Sequence, residues 1–265
     1  MLGKLMKYEW KATWKILVPM DVFIIAMTLL VYITIELSFF NSDNALVEGT
    51  GVIVIMTYLI TLFITAVGTM IYLIYRAYTS VYGDEGYLLH TLPVDKHHII
   101  ISKTIVSTLW IMLNLFLIYF SAAALLSTQE WFLESIVDAF RFWAQMRNFF
   151  HEVEGFAVFM TFIASFISMI ARILKIAACI SLGQLASNHK VISSFGFYYG
   201  IYFIQRMFSF FYFLIMGVMT DIMTDGNNLF IFSYNWPFSL ISGLIYCVIF
   251  YIVTWYIMEK KLSLD

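Results

Sequence analysis

The chain has 265 residues, of which 62% are hydrophobic and only 12% are charged, and its formal net charge is −2. A soluble domain of this length would need about 25% charged residues to cover its surface. The composition, together with a mean hydropathy of +0.87, therefore excludes an ordinary soluble domain and indicates that lipid is the solvent for most of the chain. We expect no nucleic-acid partner.

The first element in chain order is a predicted amphipathic helix over residues 1–15. The basic stripe of this helix consists of Lys4, Lys7, Lys11 and Lys15. Its apolar stripe consists of Leu2, Leu5, Met6, Trp10 and Trp14. Such a helix lies in the membrane interface, where its lysines attract anionic lipid. We expect it to rest on the inner leaflet as an interfacial helix.

Six apolar segments follow that are long enough to cross a membrane, since a spanning helix needs about 20 mostly apolar residues. They cover residues 16–40, 51–75, 104–127, 156–187, 191–220 and 237–258. The predicted fold is therefore an all-α integral membrane protein with six transmembrane helices in a single domain. Asp21, near the start of the first span, is interpreted as an inner-interface residue.

The basic residues outside the spans predict that both termini are cytoplasmic. Positive charge concentrates in cytoplasmic loops. With the N-terminus inside, ten basic residues are cytoplasmic and only Arg141 and Arg147 are outside. The cytoplasmic set is Lys4, Lys7, Lys11, Lys15, Arg76, Lys96, Lys103, Lys190, Lys260 and Lys261.

The cytoplasmic segment between the second and third spans, residues 76–103, is longer than a simple connection requires. Gly83 and Gly86 bracket Asp84 and Glu85, and Pro93 ends the stretch that follows. This order predicts a break, a short amphipathic helix and a turn. A structured loop of this kind favours a docking surface for a partner.

A second segment outside the spans, residues 128–155, is also amphipathic. Its apolar face consists of Phe132, Ile136, Phe140 and Trp143. At helical spacing these side chains share one face, and polar side chains occupy the other. We expect this outer segment to cap the outer mouth of the protein or to lie along the outer interface.

Three stretches resemble the permease subunits of bacterial type-2 ABC exporters. They are MLGKLMKYEWKATWK at 1–15, GDEGYLLHTLPVDKHHIIISK at 83–103 and SLGQLASNHK at 181–190. The resemblance implies a subunit in the bacterial plasma membrane that pairs with a second permease, the same or a related chain, and docks onto a separate ATPase. In one departure, residues 221–236 leave little room for the re-entrant helices that larger members carry between spans five and six.

The resemblance also implies a coupling helix that receives the motion of the ATPase. On this chain it maps to Gly83, Asp84, Glu85, Gly86, Tyr87, Leu88, Leu89, Thr91, Leu92 and Pro93. Residues 1–15 would then be the connecting helix at the membrane surface. ATP and Mg would be bound by the partner ATPase.

The chain itself carries no motif for nucleotide binding or catalysis. The phosphate-loop pattern GxxxxGK followed by Ser or Thr is absent. Cys179 and Cys247 lack metal-ligand spacing, and His97 and His98 are interpreted as solvated or interface histidines. We therefore expect no enzyme activity, no metal site and no cofactor in this chain.

Charged and polar side chains inside the spans are the candidate cavity residues, because a charge at a helix centre costs about 2.5–3.5 kcal/mol on insertion scales. Counting about 1.5 Å per residue from the cytoplasmic ends places Arg172 and Arg206 at one level, with Lys175 and Glu36 near it. Gln205 belongs to the polar stripe of the fifth span. An ion pair with Glu36, or snorkelling of the cations to the outer interface, is the structural alternative.

Stripes of Thr, Ser and Gly in spans two to five suit helix packing in lipid better than a substrate path, because small and hydroxylated residues allow close approach.

The six spans and the family resemblance together predict a permease subunit of an ATP-driven exporter for an amphipathic substrate such as a peptide or an antimicrobial. Lipids and hydrophobic drugs also suit an aromatic-rich cavity. The alternative is a secondary transporter or channel that works alone, for which no inverted repeat with broken helices is evident.

Overall fold

The computed structural model describes residues 2–37, 45–83, 86, 95–126, 154–186, 189–224 and 229–260. Within these ranges we find six long α-helices. They are α1 (Leu2–Glu36), α2 (Ala45–Tyr82), α3 (Lys96–Leu126), α4 (Glu154–Gly183), α5 (Lys190–Thr224) and α6 (Leu229–Lys260). Each contains a segment that is long and apolar enough to cross a membrane. This confirms the predicted all-helical membrane protein with six candidate spans.

The predicted interfacial segment and the first span form one continuous helix. Residues 1–15 are predicted as a helix separate from the first span, whereas α1 continues from Leu2 to Glu36 with Pro19 inside it. Residues 11–18 contain no glycine or proline that would stop a helix. The 35 residues of α1 extend about 52 Å at 1.5 Å per residue. Since the hydrocarbon core is about 30 Å thick, α1 is long enough for a span and an extension beyond it.

The connection between α2 and α3 is shorter than the predicted loop 76–103. Helix α2 continues to Tyr82 and α3 begins at Lys96, so only residues 83–95 remain between them. Of these, the structure describes Gly83, Gly86 and Asp95. Residues 128–153 of the predicted outer segment lie outside the described residues.

The chain divides into two compact units. The first consists of Met1–Ala77 with Ile105–Met146, and the second of Tyr78–Thr104 with Arg147–Asp265. Helix α1 and most of α2 and α3 therefore belong to the first unit. Helices α4, α5 and α6 belong to the second, together with the last residues of α2 and the first residues of α3.

In the first unit, polar side chains join α1 to α3 at three levels. The hydrogen bonds run from Trp110 Nε1 to Thr13 Oγ1 at 2.7 Å, from Asn114 Nδ2 to Asp21 Oδ1 at 3.0 Å and from Thr28 Oγ1 to Ser121 Oγ at 2.9 Å. Residue numbers rise in the same order along both helices, so α1 and α3 run parallel. We call these three pairs the polar ladder. Helices in lipid are held by such hydrogen bonds and by close packing.

The side chain of Asp21 is buried between α1 and α3. It is 6% exposed, and its partner Asn114 is 4% exposed. Interpreting Asp21 as an inner-interface residue, from its position near the start of the span, does not anticipate this partner. Because a buried carboxylate needs a donor, the pair fixes the rotation of both helices.

Aromatic packing extends the ladder into the N-terminal segment. Trp10 stacks on Trp110 with ring centroids 4.6 Å apart. Met6 and Trp10 also pack against one of the two core clusters of the first unit, which consists of Leu17, Leu73, Val106 and Trp110. The apolar stripe predicted to face lipid is therefore partly covered by protein, while Lys4, Lys7, Lys11 and Lys15 are exposed.

Two of the three buried threonines of α2, Thr61 and Thr65, bond to their own helix. Thr61 Oγ1 donates to Thr57 O at 2.8 Å, and Thr65 Oγ1 donates to Thr61 O at 2.8 Å. Thr61 and Thr65 are 4% and 3% exposed. These contacts support the packing interpretation of the α2 stripe, because the hydroxyls are satisfied locally and allow close approach of a neighbouring helix.

The core of the second unit joins α4 and α6 to the ends of α2 and α3. Its buried members are Val81, Ile99, Ile100, Leu174, Ala178, Phe250 and Met258. Helices α4 and α6 approach closely, since a Cβ on Gly243 would lie 3.2 Å from the Ile167 side chain. This core makes α4 and α6 neighbours, and Ile201 of α5 also packs against it.

The polar ladder makes a specific prediction about stability. Asn114→Leu should lower the free energy of unfolding by about 1–3 kcal/mol, because it leaves the buried Asp21 carboxylate without its donor. Asp21→Leu combined with Asn114→Leu removes both partners and should recover most of this loss. Unfolding by SDS titration in mixed micelles measures the three proteins. A double variant no more stable than Asn114→Leu alone would contradict the pairing.

Candidate functional site

Polar side chains of α4 and α5 meet in the second unit. Lys175 Nζ donates a hydrogen bond to Gln205 Oε1 at 3.0 Å. Nearer the turn between the helices, a Cβ on Gly183 would contact Ser194 Oγ and would lie 2.7 Å from Lys190 O. Glycine at 183 thus permits the close approach of the two helices at this end.

Lys175 is buried against aromatic rings. Its side chain is 6% exposed. The Nζ atom lies 4.8 Å from the centroid of Tyr198 and 5.5 Å from that of Tyr202. An ammonium group within about 6 Å of a ring centroid is attracted by the negative face of the ring. The two tyrosine rings and Gln205 therefore stabilise the charge of Lys175 at a depth where lipid alone would not.

Two arginines lie within electrostatic range of Lys175. Arg206 is exposed, its Nε donates to Tyr202 Oη at 2.9 Å, and its Cζ lies 5.0 Å from the Tyr202 centroid. Arg172 is also exposed and makes no hydrogen bond or ion pair with the described residues. We call Arg172, Lys175, Gln205 and Arg206, with Tyr198 and Tyr202, the cationic cluster.

The structure thus brings together four of the five predicted cavity residues. The fifth, Glu36, belongs to the first unit, where it is the exposed last residue of α1. The support that tyrosine rings give to Lys175 is not predicted from the sequence. The spacing of Tyr198, Tyr202 and Arg206 is a usable signal, since residues four apart share a helix face.

Two residues of the predicted coupling helix are described, and both are glycines. Gly86 N donates to Gly83 O at 2.8 Å. A Cβ on Gly86 would contact Val81 O and would lie 2.6 Å from the Val81 carbonyl carbon, so the backbone here folds back more closely than a side chain allows. The remaining predicted coupling residues, Asp84, Glu85, Tyr87, Leu88, Leu89, Thr91, Leu92 and Pro93, lie outside the described residues.

The residues that lead into this segment are fixed on the second unit. The hydroxyl groups of Tyr82, at the end of α2, and Ser181, near the end of α4, share a hydrogen bond. Two residues earlier on α2, Ser80 Oγ accepts a hydrogen bond from Lys103 Nζ of α3 at 2.6 Å. The start of the segment is therefore tied both to α4 and to α3.

The residues that follow the segment are fixed on α6. Lys96 Nζ donates to Met258 O at 2.6 Å. His97 Nδ1 and Tyr251 Oη lie 2.6 Å apart, and the imidazole ring stacks on Trp255 with centroids 5.3 Å apart. We call the Tyr82–Ser181, Lys96–Met258 and His97–Tyr251 contacts the loop anchors.

The interpretation of His97 as solvated or interface misses its partners on α6. The sequence offers little signal for them, because Tyr251 and Trp255 are two aromatic residues in a span that is rich in them. In the part of the chain that the structure describes, no three His, Cys, Asp or Glu side chains are grouped closely enough to hold a metal ion. The described residues thus provide three cations on α4 and α5 and a set of contacts that hold both ends of the 83–95 segment on other helices.

No protein-family model, no curated protein and no solved structure matches this chain. The function of the chain is therefore inferred from the geometry of the cationic cluster and of the loop anchors.

The buried Lys175–Gln205 contact should matter more for stability than the exposed arginine beside it. Gln205→Leu should lower the free energy of unfolding by about 1.5–3 kcal/mol, the range for a hydrogen bond to a charged group. Lys175→Met combined with Gln205→Leu should restore most of it. Arg206→Gln is the matched control and should change stability by about 0.5 kcal/mol or less. Thermal unfolding in detergent tests all three, and equal losses in Gln205→Leu and Arg206→Gln would contradict the assignment.

Proposed function

We propose that the chain is the permease subunit of an ATP-driven ABC exporter, which moves an amphipathic substrate out of a bacterial cell together with a separate ATPase. The observation that carries the proposal is that both ends of the 83–95 segment are anchored on other spans. A segment that only linked α2 to α3 would need no such attachments. A segment that receives force from a partner needs them.

The loop anchors give that force a route. A push on the segment reaches α4 through Tyr82 and Ser181, and it reaches α6 through Lys96 and His97. Rigid helices carry such a displacement as a body, and a conformational change needs a connected set of packed elements to travel through. Helix α4 also holds Arg172 and Lys175, so the motion arrives at the cationic cluster.

The partner ATPase and this chain have separate roles. The partner ATPase binds ATP and Mg and performs the hydrolysis. This chain performs no covalent step; it supplies the docking segment, the spans and a binding site whose access alternates. A second permease, identical or related, completes the transport path, and the coupling residues at 84, 85 and 87–93 form the docking surface.

The distribution of basic residues supports an orientation with both termini in the cytoplasm of the bacterial cell. In the second unit, Lys96 and Lys103 lie at the start of α3 and Lys190 at the start of α5. These positions flank the proposed docking segment and the turn between α4 and α5. Short loops with an excess of Lys and Arg face the cytoplasm, where the ATPase is.

Cysteine labelling tests this orientation. After Cys179 and Cys247 are replaced by Ala, Asp95→Cys should react with a membrane-impermeant maleimide only in inverted membranes, and Leu37→Cys only in intact cells. Both sites suit labelling, because the Asp95 side chain is 79% exposed and Leu37 is 62% exposed. Reaction of both cysteines from the same side would overturn the orientation.

The coupling role of the loop anchors is tested by two neighbouring histidines. The chain is purified with the ATPase that accompanies it, and ATP hydrolysis is measured with and without candidate amphipathic peptides. His97→Ala should reduce the stimulation about two- to thirtyfold, the span of a coupling energy of about 0.5–2 kcal/mol, while the ATPase still copurifies. His98→Ala is the matched control, since His98 lacks the contacts to α6, and it should leave the stimulation unchanged.

Two outcomes would contradict the proposal. Equal stimulation in His97→Ala and His98→Ala would remove the coupling role of the anchors. Substrate transport by the purified chain with no ATPase present would favour the secondary transporter or channel instead.

A further inference from the structure

We propose that the cationic cluster binds the anionic headgroup of an amphiphile, in which a phosphodiester or a carboxylate is joined to an apolar chain. As a statement about the transported substrate, this rests on the proposed permease function. As a statement about binding, it rests on the charges, the unused donors and the position of the cluster alone.

The charges around the cluster do not balance. Arg172 and Arg206 both lie within electrostatic range of Lys175, and α4 and α5 hold no nearby carboxylate. Glu154 stands 18 residues before Arg172, and Asp221 stands 15 residues after Arg206. Along a helix these separations are about 27 Å and about 22 Å. An uncompensated cation inside a span is costly, and such residues mark substrate pathways, so the cluster requires an anion from outside α4 and α5.

The cluster also has more donors than its neighbours use. Lys175 has three N–H donors, and each arginine has five. Among the described residues, Lys175 uses one donor on Gln205 and Arg206 uses one on Tyr202, while Arg172 uses none. The planar fork of a guanidinium matches two oxygens of a phosphate or a carboxylate. The unused donors thus favour an anion with several oxygens.

The surroundings of the cluster favour an amphiphile over a free anion. Arg206 lies near the middle of α5, and none of the side chains in the most apolar window of α5 is buried. Large apolar side chains on either side of it, Phe203, Met207 and Phe210, are 64%, 38% and 59% exposed. A headgroup at this level would place its apolar chain along these side chains. A water-soluble anion would gain nothing from them.

Binding is measured on the purified full chain in neutral detergent with four probes. They are dioleoyl phosphatidylglycerol, oleate, dioleoyl phosphatidylcholine and inorganic phosphate. Native mass spectrometry counts the bound molecules, and the shift in thermal unfolding gives an affinity. We expect phosphatidylglycerol or oleate to bind at least about tenfold more tightly than phosphatidylcholine, with no comparable binding of inorganic phosphate. Which of the two anionic amphiphiles binds more tightly assigns the site to phosphodiester or carboxylate.

Variants locate the site. Arg206→Gln and Lys175→Gln should each weaken binding of the preferred amphiphile about tenfold, whereas Arg206→Lys should retain most of it. Lys190→Gln is the matched control, because it removes one exposed positive charge from the same helix away from the cluster. If Lys175→Gln does not fold, as judged by circular dichroism and gel filtration, the exposed Arg206 still provides the test.

Three results would overturn the inference. They are equal affinity for phosphatidylcholine, an equal loss in Lys190→Gln, and binding of inorganic phosphate as tight as that of the amphiphile. Because the assay contains no ATPase, its outcome is independent of whether the chain proves to be a permease.

Discussion

The structure depends on one constraint: in lipid, a polar group has no water to bond to and must find its partner within the protein. The first unit meets this constraint with the polar ladder, which joins α1 to α3, and with threonines that bond to the α2 backbone. At the ends of the helices in the second unit, the loop anchors give polar side chains their partners in the same way. In both units the same hydrogen bonds that satisfy the polar groups also choose which helices are neighbours and how each is rotated.

The cationic cluster departs from this pattern, because its arginines hold donors that the described residues do not use. Lys175 is buried and has a hydrogen bond and two aromatic rings for support, so its charge is accommodated by the fold. Arg172 and Arg206 are exposed and hold donors that the described residues do not use. Groups that stabilise a membrane protein have partners inside it, whereas groups that bind a ligand keep donors available. The cluster holds one cation that the fold buries and supports and two exposed cations with donors still available.

The sequence predicts the six helices well because hydropathy over about 20 residues reports the solvent of a span directly. It places Arg172, Lys175 and Arg206 together because a charge in a span is rare and its depth can be counted along a helix. It misses that α1 already begins at Leu2 and that α2 continues to Tyr82, since a helix continues past its apolar part when no residue stops it. It also cannot pair Asp21 with Asn114, which stand 93 residues apart, because that contact depends on how two helices are rotated.

The position of the cluster on two consecutive helices constrains how the protein is made. Helix α4 leaves the ribosome before α5, carrying Arg172 and Lys175 at a time when Gln205 and the two tyrosines have not yet reached the membrane. Two cations at the centre of a helix cost about 5–7 kcal/mol on insertion scales. Helix α4 is therefore poorly suited to leave the translocation channel alone. The support that α5 gives to Lys175 favours release of the two helices into the bilayer as a hairpin.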